Sequence, residues 1–447
     1  MSLKFRIMLL APFLVGVISN DSLAQSSKLP GVTLEEFFNA AIEYNPELQI
    51  ASESLNISSA RKRAANGQLL PQLSAGANVS DNNLEQFNRE QNFTGERYFL
   101  SLSQTLFNWQ QFAARKQASL LEDQFEEEYY YQLAVLLTDV ADRYFRVLEA
   151  RDTLESIASE IEALRNQLDQ VQSLFDRQLA QVTDLYQVQA SLAAVEARQL
   201  QLEADLAIGR EGLRSISGLE VGPLLQLRND VEISPLEFDQ DYYVQQAQRS
   251  NNQVLAGEYA LRAASEGVSE RRGAYMPQVS LIAQRQDSNV GFENLRINRT
   301  DNTYFGLNVV IPIYAGGRNK AGVSEAISRR SIAEYELRAT QLQTRELVRS
   351  AYLQVQASDA QTDAAAILVE STALSAEAMQ EGFSLGTVTS VDVLNALRDQ
   401  FQAERDLQTI RYEHIRYLLL LKRETGTLSA EDMIEVGGWL EPRGPQN

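Results

Sequence analysis

Cysteine is absent from this chain of 447 residues. Without thiols the chain has no disulfide, no thiolate metal site, no thiol nucleophile and no cysteine to carry an N-terminal lipid. Histidine occurs once, at His414, in a helical pattern with no second histidine to pair with. Glycine-rich phosphate loops, nucleophile elbows and histidine pairs are missing too. These absences argue against an enzyme, and we expect no catalytic residue, no metal and no cofactor.

Long hydrophobic runs are also scarce. One apolar run, from Ile7 to Ile18, follows Lys4 and Arg6 and precedes a small-residue site at Ser22-Leu23-Ala24. The run is too short to span a bilayer comfortably, so residues 1–24 are predicted to be a signal peptide. Because no other stretch is long and apolar enough, any membrane insertion has to use strands.

Basic charge is in deficit. Lysine and arginine number 40 against 60 aspartates and glutamates, for a formal net charge of −20. Binding to a polyanion requires concentrated basic patches, which this chain lacks, so no nucleic-acid partner is expected. A cationic partner or cargo, or a water-filled acidic lumen, is compatible with this balance.

The chain does contain a strand-loop-strand unit, and it contains it twice. Residues alternate between apolar and polar in each unit, as in half-buried strands. The predicted strands lie near residues 71–81, 97–107, 277–287 and 303–314. The predicted apolar face carries Leu73, Ala75, Leu102, Leu281, Val309 and Ile311. Tyr98 and Tyr304, at the loop ends of their strands, fit the aromatic girdle of a lipid-facing sheet.

Four strands are too few to close a barrel. The smallest membrane barrels need about eight strands, and an open sheet edge is not tolerated in lipid. Either the strands form two soluble hairpins, or several chains contribute four strands each. Both alternatives stay open at this point.

The rest of the chain is helical. Thr33 and Glu36 predict a capping box, and Asn45-Pro46 predicts a turn between a short helix and a longer one. From Phe107 to about Gln178 a continuous helix of some 70 residues would reach about 100 Å. Its outer part has a heptad seam that includes Ile157, Ile161, Leu164, Leu168, Val171 and Phe175, and a second seam starts at Leu185. Two seams joined by a tight turn predict an antiparallel helical hairpin.

The second half repeats the first. Asn45 matches Asn251 at an offset of 206, Tyr98-Phe99 matches Tyr304-Phe305 at 206, and Asp184 matches Asp392 at 208. So small a drift indicates an internal duplication. The predicted repeats are residues 25–220, with a hairpin turn at about 178–184, and residues 221–430, with a turn at about 384–392; residues 431–447 are predicted to be a C-terminal tail.

This plan resembles that of the TolC family of outer-membrane efflux proteins over essentially the whole mature chain. The stretches that carry the resemblance are Asn45-Pro46, Leu70-Pro71-Gln72, Ser103 to Asn108, Ile311 to Gly317, Val182 to Leu185, and Val391 to Ala396. Their order and spacing in both halves make the combination specific, although each motif alone is weak.

The resemblance implies a mainly α fold with a small β part. It implies a homotrimer, in which a twelve-stranded barrel in outer-membrane lipid stands on a twelve-helix tunnel across the periplasm of a Gram-negative bacterium. The implied function is the exit duct of a tripartite efflux pump or type I secretion system. The implied partners are a periplasmic adaptor (membrane fusion) protein and an inner-membrane transporter. The alternative is an exported coiled-coil scaffold without a barrel.

The predicted functional residues lie at the taper of the tunnel. Asp184 and Asp392 begin the returning helices, where a carboxylate caps free amides. In the family, aspartates at the second turn form rings that constrict the tunnel, and Asp392 matches one of them. Asn395 stands at the position of the second aspartate, Val388 at that of the gate arginine and Phe383 at that of the gate tyrosine. The gate is therefore expected to be looser or differently built.

The tips themselves match the adaptor-contacting region of the family. They comprise Gln178, Leu179 and Ala180 in the first half and Gly386 and Thr387 in the second. Glycine permits the tight backbone that such a turn needs. Because Gln178 stands where the family usually has glycine, the first tip is expected to be less regular.

Overall fold

The computed structural model describes residues 33–86, 89–228, 230–231, 233, 235–291 and 295–442. The predicted signal peptide, residues 1–24, and the last five residues of the predicted tail lie outside the described residues. Within the described ranges, no helix combines enough length and apolar character to cross a membrane.

Both halves have the same order of elements. The first half contains α1 (Leu34–Tyr44), α2 (Pro46–Gly67), β1 (Gln72–Gln86), β2 (Arg89–Phe107), α3 (Trp109–Asp176) and α4 (Val182–Ser217). The second contains α5 (Gln240–Ser250), α6 (Asn252–Gly273), β4 (Gln278–Val290), β5 (Arg296–Val310), α7 (Arg318–Ser384) and α8 (Ser390–Thr425). A short strand, β3 (Gln226–Leu227), lies between the halves, and α9 (Ala430–Gly438) and β6 (Leu440–Glu441) follow the second. The residue boundaries of the two repeats stay predictions.

The first two helices begin where the sequence predicts. The Glu36 N–H donates to the Thr33 hydroxyl and the Thr33 N–H donates to the Glu36 carboxylate, both at 3.2 Å, which completes the capping box. Asn45 Oδ1 accepts from the Leu48 N–H at 3.1 Å and so caps α2. Pro46 is the first residue of α2, where its missing N–H leaves no bond unmade.

Two very long helices set the length of the molecule. α3 has 68 residues and α7 has 67, so each extends about 100 Å. α4 and α8 return beside them, with 36 residues each. The predicted seam between α3 and α4 is confirmed, because Leu164, Val171, Leu185 and Val188 are buried in one apolar cluster.

The helices pack side by side, with two different orders along the length. Near the sheet the order is α2, α3, α6, α7; towards the hairpin turns it is α4, α3, α8, α7. The largest apolar cluster lies between these zones, where Phe37 of α1 packs with Tyr144, Phe145 and Tyr412, and residues of α9, β3 and β6 join the same cluster. The helices at the edges of this layer, here called the outer helices, are therefore α2 and α7 near the sheet and α4 and α7 near the hairpin turns.

One antiparallel sheet joins the two halves. Its strand order is β1-β2-β4-β5, so β2 and β4 pair across the duplication, and β1 and β5 are the edges. Leu73 lies opposite Leu102, Leu102 opposite Ala283, and Ala283 opposite Phe305. Opposite residues share a face, so this row places the predicted apolar residues on one side of the sheet.

The strand bounds differ from the predicted ones at both ends. Most of the predicted polar loop between β1 and β2 is strand, because the pairing continues to Gln86 and Arg89. Polar side chains do not interrupt such a ladder where neither face has to be buried. At the other end β5 stops at Val310 rather than at residue 314. Pro312 has no N–H to donate and restricts Ile311, so Ile311 lies outside the predicted apolar face.

Tyr304 does not face the same side as Tyr98, contrary to the girdle prediction. Tyr98 lies opposite Ala77 on the apolar face, whereas Tyr304 lies opposite Gln284 and donates its hydroxyl to the Gln284 amide oxygen at 3.1 Å. The residue equivalent to Tyr98 is Phe305, at an offset of 207 rather than 206. The extra residue of the second copy therefore falls before β5, which a motif match alone does not reveal.

The segment predicted to be a tail is partly structured. It contains all of α9 except the first residue, and α9 begins after Ser429, whose hydroxyl accepts from the Asp432 N–H at 3.3 Å. Lys422 Nζ donates to the Asp432 carboxylate at 2.6 Å and ties α9 to the end of α8. β6 then pairs with β3, so the link between the halves and the C-terminal segment close over the large apolar cluster.

Candidate functional site

The first hairpin turn is a Schellman motif, in which a left-handed residue ends the helix. The Leu179 N–H donates to the Leu174 carbonyl and the Gln178 N–H to the Phe175 carbonyl, both at 2.8 Å. Gln178 has a φ of 63°, and among the described residues it is the only one other than glycine with a positive φ. These bonds satisfy carbonyls at the end of α3 that would otherwise lack a partner.

The second turn has the same geometry. The Thr387 N–H donates to the Gly382 carbonyl at 2.9 Å, and the Gly386 N–H donates to the Phe383 carbonyl at 3.0 Å. Gly386 has a φ of 74°, so it is the structural equivalent of Gln178. The expectation of a less regular first tip is therefore wrong: glutamine adopts the conformation that glycine adopts in the second tip, at a local cost of about 1–2 kcal/mol.

Both tips present leucine to solvent. Leu179, next to Gln178, is 72% exposed, and Leu385, next to Gly386, is 78% exposed. Thr387 is also exposed and Ala180 is half-buried. Each tip thus exposes one leucine, on opposite sides of the left-handed residue: Leu179 belongs to the predicted adaptor-contacting set, and Leu385 adds to it.

Asp392 completes a capping box at the start of α8. Its carboxylate accepts from the Thr389 N–H at 3.0 Å and from the Thr389 hydroxyl at 2.7 Å. The Asp392 N–H donates back to that hydroxyl at 3.3 Å. The two bonds from Thr389, the hydroxyl first, lower the pKa of Asp392 below its ordinary value. The side chain is exposed, so capping leaves an ionised carboxylate facing solvent.

Asp184 has the same position at the start of α4. Its carboxylate accepts from the Gln181 N–H at 3.2 Å, and the side chain is half-buried. The structure therefore supports the capping role predicted for both aspartates. Of the two aspartates, only Asp392 is exposed.

Phe383 and Val388 contribute to packing within the tip. Phe383 is half-buried and contacts both apolar clusters of the tip region, the one containing Leu164 and the one containing Val393. Val388 lies over the last turn of α7, where a Cβ added to Gly382 would stand 3.1 Å from a Val388 methyl. Neither side chain carries a polar group that could bond to Asp392, so the altered gate stays a prediction.

Asn395 belongs to a longer polar stripe that the sequence reasoning missed. On α8 the exposed residues Asp392, Asn395, Asp399 and Asp406 follow each other at steps of three, four and seven. This spacing places them on one helix face. Arg398 donates to Asp399 at 3.2 Å, so part of the charge is balanced. The spacing of Asp and Asn at three, four and seven residues after Asp392, all steps that keep one helix face, could have revealed the stripe in the sequence.

The described residues offer no obvious site for a cofactor or metal. No group of three or more histidine, aspartate or glutamate side chains in the described ranges is arranged to hold a metal ion. A groove of about 680 Å³ lies between α2, α3, α6 and α7, but its lining is mixed and open to solvent.

The chain has two similar helical hairpins, and each is connected to two strands of the small sheet. This architecture is typical of a helical channel protein with a β-sheet at one end. The family model described as "Outer membrane efflux protein" matches residues 38–219 and 243–427. The chain therefore belongs to the outer membrane efflux protein family. It is an outer-membrane efflux channel of the kind used in tripartite efflux and type I secretion, it extends into the periplasm, and it is not an enzyme.

Curated relatives match nearly the whole chain. Outer membrane protein TolC of Vibrio cholerae is 28% identical over 421 residues, which cover 93% of this chain and 95% of that protein. Outer membrane protein TolC of Escherichia coli is 26% identical and covers 96% and 89%, respectively. The alkaline protease secretion protein AprF of Pseudomonas aeruginosa is 24% identical and covers 89% and 85%. These matches confirm the predicted TolC resemblance.

Solved structures confirm the fold. A structure of CusC superposes with a TM-score of 0.78 at 18% identity, covering 89% of this chain and 93% of that one. The Campylobacter jejuni CmeC outer membrane channel gives a TM-score of 0.76 at 15% identity, covering 97% and 99%. At these identities the likeness concerns the fold alone, a mainly helical chain with a small antiparallel sheet.

Proposed function

We propose that three copies of this chain form one closed duct. The observation that carries the proposal is the four-stranded sheet, whose edge strands β1 and β5 leave a row of backbone N–H and C=O groups unpaired. Such edges are not tolerated in lipid, and four strands cannot close on themselves. Three copies, the number that the TolC resemblance implies, supply twelve strands and a barrel without edges.

The outer helices support the same assembly. Ile50 and Ile57 on α2, Ile208 on α4, and Ile332 and Ile367 on α7 are large apolar side chains exposed to solvent in the single chain. Exposed apolar surface of this extent indicates a protein contact. In a closed ring, α7 of one copy faces α2 and α4 of the next, which buries these side chains and yields twelve helices around the axis.

The helical tips are the proposed docking site for a periplasmic adaptor that links the duct to an inner-membrane transporter. Leu179 and Leu385 are the exposed apolar residues next to the two left-handed turns. A partner with matching apolar grooves would bury both leucines. Because the two turns have the same backbone geometry, the trimer offers six similar contact points.

The proposed periplasmic constriction is built from the polar stripe of α8. Three copies would bring Asp392, Asn395 and Asp399 near the axis, where like charges raise the local cation concentration. Phe383 and Val388 help to shape the tip by packing. The constriction is closed less firmly than one latched by arginine and tyrosine.

Assembly and docking are tested separately. Native mass measurement in detergent is expected to give a trimer, whereas a monomer released without detergent would favour the scaffold alternative. Cross-linking to the adaptor in cells is expected to fail for Leu179→Asp with Leu385→Asp, while the trimer persists. Ile434→Asp changes another exposed apolar residue, on α9, and is the control that is expected to leave cross-linking intact. Normal cross-linking of the tip variant would refute docking at the tips.

A further inference from the structure

The second face of the sheet is polar and almost free of charge. All four strands pair with one another over residues 72–78, 97–103, 282–288 and 300–306. In this four-strand segment the face opposite the apolar one, here called the polar face, carries neutral residues such as Ser74, Asn78, Ser101, Ser103, Gln284 and Asn302. Arg97 is the only charged side chain on the polar face of that segment.

Arg97 has no charged partner. It lies opposite Asn78 in β1 and Ser288 in β4, and no carboxylate of the described residues forms an ion pair with it. Its Nε is shielded from solvent without any hydrogen-bond acceptor in the described part of the chain. Arginines on the apolar face are paired instead: Arg285 contacts Asp301 at 2.7 Å.

The level of Arg97 along the strand follows from its neighbours. On β2, Leu102, Leu100 and Tyr98 form the apolar run, while the neighbouring strand β4 already carries charge on the same face, with Arg285 opposite Leu100 and Asp287 opposite Tyr98. Arg97 lies between Tyr98 and Glu96 but points to the opposite side. It therefore stands on the polar face at the height where the apolar run ends, towards the hairpin loops.

We propose that three copies of Arg97 form an anion-binding ring inside the outer mouth of the duct. Its ligands are carboxylate or phosphate groups of passing solutes, which guanidinium groups bind with two parallel hydrogen bonds. The inference rests on the trimeric barrel proposed above, in which the apolar face meets lipid and the polar face lines the lumen. It concerns the exit, at the opposite end from Asp392.

The dimensions of such a barrel make the ring effective. Twelve strands spaced about 4.8 Å apart and tilted by about 40° enclose a backbone diameter of about 24 Å. The screening length at 0.1 M salt is about 10 Å, so three guanidinium groups projecting from the wall act across the whole lumen. Since every copy presents the same polar face, no carboxylate of that segment neutralises the ring.

The ring is tested in planar bilayers with the purified full-length trimer. Pyrophosphate, without divalent cations, is expected to block the wild-type channel more strongly from the loop side than from the helix side. Arg97→Gln is expected to weaken this block at least tenfold and to shift the reversal potential in a KCl gradient towards cation preference. Arg285→Gln, on the apolar face, is the matched control and is expected to change neither property.

The absence of native cysteine allows a second measurement. In Arg97→Cys the thiol is unique. A cationic methanethiosulfonate reagent is therefore expected to restore the anion block that this variant has lost, and an anionic reagent is expected not to restore it. Unchanged block and selectivity in both Arg97 variants would overturn the ring but leave the duct intact. If neither Arg97 variant assembles, the wild-type channel still tests the ring. Pyrophosphate block that is absent, or equally strong from the loop side and the helix side, would overturn it. Failure of the wild type to form trimeric channels would instead refute the proposed function.

Discussion

Arg405 on α8 and Glu160 on α3 form an ion pair of 2.7 Å in which each side chain is only 6% exposed. The residues are 245 positions apart and belong to different halves of the duplication. Gln402 accepts a further bond from Arg405 at 3.2 Å, while the Arg405 Nε has no partner among the described residues. This pair joins α8 of the second half to α3 of the first.

Removing one member of this pair is expected to destabilise the protein strongly. Arg405→Met leaves Glu160 buried and uncompensated, at a cost of about 3–5 kcal/mol. The double variant Arg405→Met with Glu160→Leu replaces both charges by apolar groups and is expected to recover most of the loss. Thermal unfolding, monitored by circular dichroism, ranks the stabilities of the wild type, the single variant and the double variant. A double variant as unstable as the single one would contradict the buried-charge explanation.

The left-handed backbone at Gln178 predicts that glycine is preferred there. Gln178→Gly removes a steric cost of about 1 kcal/mol and is expected to slow hydrogen exchange at the first tip. Gln187→Gly, in the exposed interior of α4, is the control and is expected to destabilise by about 0.5–1 kcal/mol. Replacing glutamine by glycine would then stabilise the protein at one site and destabilise it at another only nine residues away. Faster exchange at the tip of the Gln178 variant would contradict this prediction.

The two faces of β2 predict different tolerance to charge. Leu102→Arg puts a charge on the apolar face and is expected to cost about 2–4 kcal/mol near the bilayer midplane. Ser103→Arg, on the polar face, is its neighbour and control. The yield of detergent-extracted trimer is expected to fall only for Leu102→Arg. Equal losses for both variants would show that the face assignment is wrong.

Asp392 is expected to determine cation behaviour at the helix end. Asp392→Ala removes three like charges from the constriction, so cation selectivity and block by di- or trivalent cations from the helix side are expected to weaken. Asp432→Ala is the control, because Asp432 also completes a capping box but lies on α9. Unchanged selectivity and block in planar bilayers would reduce Asp392 to a helix cap.

His414 predicts a loss of stability at mildly acidic pH. Its Nδ1 lies 2.7 Å from the Ser358 hydroxyl, and burial lowers the pKa of His414 below its usual 6.5, while Asp359 opposes the shift. Below pH 6.5 the unfolded chain therefore binds a proton that the folded chain resists, and stability falls until the lowered pKa is passed.

The measurement for His414 is the thermal midpoint from pH 7.5 to pH 5. His414 is the only histidine, so the slope assigned to it is expected to disappear in His414→Gln, which does not titrate in this range. Parallel slopes in the wild type and the variant would place the pH dependence elsewhere.

Much of the candidate site was predictable from the sequence, because helix ends depend on capping residues that lie close together in the chain. Asp184 and Asp392 follow polar turns and precede apolar seams, and both cap as predicted. The regular turn at Gln178 was not predictable from residue type, since glutamine seldom adopts a positive φ and does so here under the constraint of the two packed helices. Asp399 was missed because a single helix face becomes apparent only when several turns are read together.

The helices, the approximate positions of the four long strands and the duplication were all predictable from the sequence, because hydrophobic periods and caps act within a few residues of one another. Contacts between residues that are distant in the sequence are visible only in the tertiary structure. Glu160 forms an ion pair with Arg405, β3 pairs with β6, and the strand register places Tyr304 on the polar face. These outcomes depend on long-range packing and on a one-residue shift that reverses every side chain of a strand. No local pattern in the chain encodes them.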